Sequence, residues 1–153
     1  MPVIANKVVA RFQDGRILKG TTLDFIPTRP HFHISPLDAK AGDRGVQVET
    51  RDLKALFFVK DFDGTKHYDE RKEFLPTEKP AGRVAAVLFK DGEVLMGTTQ
   101  AYEPTRPGFF LAPADPRSNN DRCFIVTSAV DKVAFGASAS NLLKTAVARL
   151  QHT

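Results

Sequence analysis

Phe12-Gln13-Asp14-Gly15-Arg16-Ile17-Leu18-Lys19-Gly20-Thr21-Thr22 returns 77 residues later as Phe89-Lys90-Asp91-Gly92-Glu93-Val94-Leu95-Met96-Gly97-Thr98-Thr99. Pro27-Thr28-Arg29-Pro30-His31-Phe32 returns at the same offset as Pro104-Thr105-Arg106-Pro107-Gly108-Phe109. The correspondence runs without a gap from Val8/Ala85 to Val59/Gly136, and 16 of the 52 aligned positions are identical. Chance does not hold one offset over that length, so the chain reads as a duplicated unit.

Each unit reads as β structure. Val8-Val9-Ala10-Arg11-Phe12 and Ala86-Val87-Leu88-Phe89 are apolar and partly β-branched, and an Asp-Gly pair follows each. Asp-Gly between such runs is a strong hairpin signal, because the tight turn needs positive φ. Gly20 and Gly97 lie inside the next strand, where a glycine marks a bend. Pro27 and Pro30 end pairing and stiffen the loop. Strands are expected at His31–Ile34, Val46–Thr50 and Leu53–Val59, with a tight corner at Arg51-Asp52. Alternation places Phe12, Leu18, Phe32, Ile34, Val48, Leu56 and Phe58 in the core, with Phe89, Leu95, Phe109, Leu111, Ile125, Val133 and Phe135 as their counterparts.

The expected fold is mostly β: two tandem five-stranded barrels of Sm-like or SH3-like type and a short C-terminal helix. An open sheet this small leaves unmanaged edges. The division is 1–59 for the first barrel unit, 60–84 for a charged linker, 85–136 for the second unit and 137–153 for the helix. Phe62, Tyr68, Phe74 and Leu75 predict a linker partly ordered against a barrel, with one helical turn around Tyr68 to Phe74. In the tail, Ser138 or Ser140 can cap a helix that puts Leu142, Leu143, Ala146, Val147 and Leu150 on one face.

Composition narrows the function classes. The 153 residues carry 42% hydrophobic and 26% charged side chains, which suits a packed domain rather than a disordered chain. A single cysteine excludes a disulfide framework and multi-cysteine metal sites. No apolar run approaches the ~18 residues of a membrane helix, and the N-terminus lacks a signal-peptide core, so a cytoplasmic location is expected. The net charge of +4 is dispersed: +1 from Lys7, +2 over 8–59, zero over 60–84, −1 over 85–136 and +2 from Lys144 and Arg149 in the tail. No basic stripe of the kind that gathers phosphate backbones results.

The run Val9-Ala10-Arg11-Phe12-Gln13-Asp14-Gly15-Arg16-Ile17-Leu18-Lys19-Gly20 and its copy resemble the Sm-like (LSm) barrel. With Pro-Thr-Arg-Pro and Leu53-Lys54-Ala55-Leu56-Phe57-Phe58-Val59 added, the chain looks most like a duplicated bacterial domain family without an assigned activity. The Sm-like resemblance implies strand addition between edge strands, one of which a tandem chain can satisfy internally. It also implies single-stranded RNA binding through an Asn-bearing loop after the second strand and an Arg-Gly turn before the fifth. Here Pro27-Thr28-Arg29-Pro30 replaces the first element, and Arg51-Asp52 or Ser128-Ala129 the second. Neither RNA-binding element is intact.

Arg29 and Arg106 each sit in a rigid loop, where a guanidinium fork suits phosphate or carboxylate. Two readings stand: structural pairing with Asp38 and Asp115, or contact with a ligand. Arg51, Phe25 and Tyr102 complete the candidate ligand or partner residues, the last two as loop aromatics for which stacking on a ligand and burial in the core are both open. His31 and His33 share a strand face, but Gly108 and Phe110 at the equivalent positions cannot ligate, so no metal is expected. Cys123 reads as a small core residue, and Asp14 and Asp91 as turn formers. Thr21-Thr22 and Thr98-Thr99 have no general base at recognisable spacing, and no glycine loop precedes a helix. No catalytic residue and no cofactor are expected.

These readings point to a non-enzymatic binding or adaptor module working through barrel loops or strand edges, with a protein as partner. Weak single-stranded RNA binding is the alternative. A cyclic-dinucleotide receptor is a further rival, and its Arg-x-x-x-Arg and Asp/Asn-x-Ser-x-x-Gly pattern is absent.

Overall fold

The computed structural model describes residues 5–37, 45–60, 83–99, 102–103, 105–113, 120–139 and 141–142. The linker expectations, Asp38, Asp115 and the tail beyond Leu142 lie outside them. Ten strands form: β1 (Asn6–Phe12), β2 (Ile17–Thr22), β3 (His31–Pro36), β4 (Val46–Glu49), β5 (Leu53–Val59), β6 (Arg83–Phe89), β7 (Val94–Thr99), β8 (Gly108–Pro113), β9 (Asn120–Val126) and β10 (Val130–Phe135). Single 3-10 turns, Thr50–Asp52 and Thr127–Ala129, make the expected corners before β5 and β10. Residues 137–139 and 141–142 are helical.

The bounds of β1, β2 and β3 recur in β6, β7 and β8 at the offset of 77. The turns recur as well. Gly15 and Gly92 take φ of 96° and 94°, and the Asp14 and Asp91 carboxylates each accept the backbone N–H two residues on, at 3.0 Å. Gly20 and Gly97 are needed for space: a Cβ there would run into the carbonyl oxygens of Ser35 and Ala112.

All ten strands join one antiparallel sheet, ordered β10-β6-β7-β8-β9-β5-β1-β2-β3-β4. The sheet is open, with β10 and β4 at its edges, where two separately closed barrels were expected. Its physical reason lies at the centre. β5 pairs with β1 on one side and with β9 on the other, so its second edge joins the halves instead of closing the first one. The ladder runs Ala55↔Ile125, Leu56↔Phe124, Phe57↔Cys123 and Phe58↔Arg122.

This joint is buried on both faces. Leu56 and Phe58 enter a core with Val8, Phe32, Ile34 and Val48, and β9 adds Phe124 and Val126 to it. Ala55, Phe57 and Val59 enter the other core with Val87, Phe109, Leu111 and Ile125. Every residue of β5 is buried, including Lys54. The Lys54 ammonium meets Asp91 Oδ2 and Glu93 Oε1 across the joint, each at 2.7 Å. Of the core positions expected from alternation, nine are buried. Phe12, Leu18, Leu95, Val133 and Phe135 are half-buried and packed against the same cores. A third, small cluster sets Ala139 against Ala86 and Met96, with Leu142 beside them.

Candidate functional site

The loops after β2 and β7 are pinned from both ends. Arg29 N–H donates to Ile26 O at 3.0 Å, and Thr50 donates its backbone N–H to Pro30 O and its hydroxyl to Arg29 O. The second half repeats all three bonds with Arg106, Glu103, Thr127 and Pro107. The backbone under each arginine is thereby fixed while its side chain stays exposed. A guanidinium held on a rigid loop loses little freedom when it binds an anion.

Because β5 and β9 are neighbours, the pinned loops of both halves converge on the joint. They line two cavities. One, of about 710 Å³, is walled by Arg29, Arg51, His31, Glu49, Thr50 and Ser128 among others. The other, of about 670 Å³, is lined by Arg106 and Arg122 together with Pro107, Gly108, Phe110 and Ala112 among others. Thr28 and Pro107 line both, which makes them one groove across the joint. Both volumes fall in the range of small-ligand clefts.

The groove's charge is unbalanced. Among the described residues, no carboxylate lies within ion-pair distance of Arg29, Arg51, Arg106 or Arg122. Arg122 instead lies over the rings of Phe58 and Phe110, at 4.7 and 4.9 Å from their centroids, which orients its guanidinium. At the groove's first end, Gln13 Nε2 bridges the joint, donating to Arg51 O at 3.0 Å and to Ser128 Oγ at 2.9 Å. Thr99 Oγ1 is buried without a hydrogen-bond partner among the described residues, whereas its counterpart Thr22 donates to His33 O at 2.8 Å.

The candidate residues separate in space. Arg29 and Arg51 share one cavity, and Arg106 lines the next. Phe25 does not line either: it is half-buried among Phe32, Phe58, Phe110 and Phe124, with centroids 5.0 to 6.5 Å away. Tyr102 packs on Phe109 and Phe135 at 5.0 and 5.4 Å. Neither ring is a bare stacking platform. Sequence reasoning missed Arg122, which stands where the first unit has Gly45, so comparison of the copies gave it no weight.

The remaining polar groups have structural partners. His33 Nδ1 and Asp24 Oδ2 are 2.7 Å apart. Partial burial pushes the Asp24 carboxyl up. The hydrogen bonds from the His33 ring and backbone N–H outweigh this and hold it below its ordinary 3.8. Asp91 is likewise held low: burial opposes ionisation, but Lys54 and the Glu93 N–H prevail. The Arg16 N–H does the same for Asp14. Cys123 is buried in the second core. No cluster of three metal-ligating side chains occurs among the described residues, and no helix is long and apolar enough to cross a membrane.

Residues 4–136 match the family described as Family of unknown function (DUF6982), and the chain belongs to that family. Comparisons with curated proteins and with solved structures give no match.

Proposed function

We propose that this chain is a non-enzymatic cytoplasmic binding module, made of two curved, Sm-like five-stranded units, whose groove across the joint takes an acidic segment of a partner protein. The observation that carries this reading is the set of four arginines lining the groove, Arg29 and Arg106 on the pinned loops, Arg51 in the turn before β5 and Arg122 on β9, against the single described carboxylate of Glu49, with none of the four in a described ion pair. A carboxylate-bearing chain laid along the groove supplies the missing charge, and the guanidinium groups of Arg29, Arg51, Arg106 and Arg122 can each donate two hydrogen bonds to a carboxylate. The exposed hydroxyl of Thr28 adds a neutral donor. Pro107, Phe110 and Ala112, which line the second cavity without being buried, offer area for an adjoining apolar side chain.

A second reading, single-stranded RNA, is favoured by position: the groove is built from the loops that the Sm-like resemblance assigns to RNA. Against it stand the lost Asn and Gly elements and the packing of the half-buried Phe25 and Tyr102 against other rings, since bases need exposed rings to stack on. Capture of partners from lysate with and without nuclease separates the two. Titration with an acidic peptide and with a uridine-rich oligomer at ~150 mM salt quantifies them. The protein reading expects nuclease-resistant capture that Arg29→Ala with Arg51→Ala abolishes. Submicromolar RNA binding lost in the same variant would replace it.

A further inference from the structure

The joint between β5 and β9 is a template for what the two free edges would do if they met. At the offset of 77, β10 corresponds to β5 and β4 to β9. Pairing β10 of one copy with β4 of the next would continue the ladder in the register of the joint. Lys132 would stand opposite Val48, Val133 opposite Gln47 and Ala134 opposite Val46. Such an extension is the obvious way for an open sheet to propagate when each of its edge strands pairs with only one described strand.

The side chains on the edges oppose it. Phe124 and Val126, which fill the first core at the joint, are replaced on β4 by Gln47 and Glu49. Ala55, 0% exposed at the joint, is replaced on β10 by Lys132. An ammonium there would be desolvated beside Val48 without a partner. Phe57 is replaced by Ala134, which leaves the space under Val46 unfilled. One residue further, Asp131 would face Glu49, and like charges opposite each other across a ladder repel. Beyond the strands, Gln13 and Ser128 hydrogen-bond at the joint, and Lys90 and Arg51 would meet in their place.

One substitution favours the contact. Asp131 stands where Lys54 does and Arg16 where Glu93 does, so that ion pair is preserved with its signs exchanged. Both groups are exposed, and exposed pairs contribute little. β4 is also short, four residues against seven in β9.

We infer that β4 and β10 are built to reject each other, so that the sheet stops at ten strands and each polypeptide carries a single groove. The guard is the set Gln47, Glu49, Asp131 and Lys132, and it discriminates against a second copy of this same chain.

The test is cross-linking across the edges combined with sedimentation. Val46 and Ala134 occupy the directly paired positions of Phe57↔Cys123, so Val46→Cys with Ala134→Cys reports edge pairing as an intermolecular disulfide. On the native edges the expected result is no disulfide-linked oligomer under oxidising conditions, and sedimentation as one species from micromolar to submillimolar concentration. With Gln47→Phe, Glu49→Val, Asp131→Lys and Lys132→Ala added, the same cysteines should link into multimers. Without the cysteines, that variant should self-associate at least tenfold more tightly. If the fourfold variant loses its strand signal, Glu49→Val with Asp131→Lys carries the test alone. Disulfide-linked oligomers on native edges overturn the inference, and so does a folded variant that neither links nor associates.

Discussion

Replacing Phe124 by alanine tests whether the joint is a core or merely a contact. Phe124 belongs to β9 of the second half but is 1% exposed inside the first half's core. Its ring sits 5.2 Å from both Phe25 and Phe110. Truncating a buried phenylalanine costs about 3–5 kcal/mol. Loss of two well-oriented aromatic pairs, about 0.5–1.5 kcal/mol each, puts this site toward the upper end. A loss of about 4 kcal/mol raises the unfolded fraction roughly a thousandfold. The chain has no tryptophan, so urea unfolding is followed by far-UV circular dichroism and by tyrosine emission, with calorimetry as a third probe. The expected outcome is one transition, coincident by all probes and shifted as a whole, because the residue lost from one half empties space in the other. A loss below about 1 kcal/mol refutes the packing argument. Two transitions, one unchanged from the parent, refute the claim that the halves share a core.

Four further outcomes follow from named groups. Gly97→Ala should destabilise by about 1–3 kcal/mol or more, because its Cβ meets the Ala112 backbone rather than a side chain that can turn away; equilibrium denaturation measures it. Gly92→Ala, in open space at φ 94°, should cost only the left-handed strain of about 1–2 kcal/mol by the same assay. Lys54→Ala should cost about 1–2 kcal/mol and let the Asp91 carboxyl rise toward 3.8, read by NMR titration. The loss stays small because both carboxylates are half-exposed and rehydrate. The Asp24 carboxyl is depressed in the folded chain, so its contribution is present above 3.8 and disappears as pH falls through the lower folded value. Asp24→Asn should therefore flatten the acid limb of the stability profile, measured by denaturation at a series of pH values below neutrality.

Much of the architecture was written in local signals. The Asp-Gly pairs demand positive φ, and Gly15 and Gly92 supply it. Strand bounds followed from apolar runs broken by Pro27, Pro30 and the corner residues. The choice of neighbour for β5 was harder to read. Both copies share one strand pattern, and partner choice rests on a few face residues: Ala55, Phe57 and Val59 against Lys132, Ala134 and Gly136. The one available signal was that Leu53–Val59 is apolar on both faces, which marks a strand buried on both. Arg29 and Arg106 could be singled out because they sit in the repeated Pro-Thr-Arg-Pro loop. Arg122 could not, because its place in the groove depends on a pairing between units that each repeat alone does not encode. Phe25 and Tyr102 were legible only as two alternatives, because a loop aromatic beside a barrel mouth packs inward as readily as it stacks outward.

The sharing of β5 also sets a schedule for synthesis. When Val59 leaves the ribosome, the first half can pair all its own strands, yet one edge of β5 and the apolar face of Ala55, Phe57 and Val59 remain bare. The strand that covers them ends at Val126, 67 residues later. At about 5–20 residues per second that interval lasts roughly 3–13 s. During it the nascent chain presents an edge suited to pairing with the same edge on a neighbouring nascent chain of the polysome. Lys54, whose partners Asp91 and Glu93 are also not yet made, is the one charge within that strand. It acts first as a gatekeeper against wrong pairing and only afterwards as the anchor of the joint.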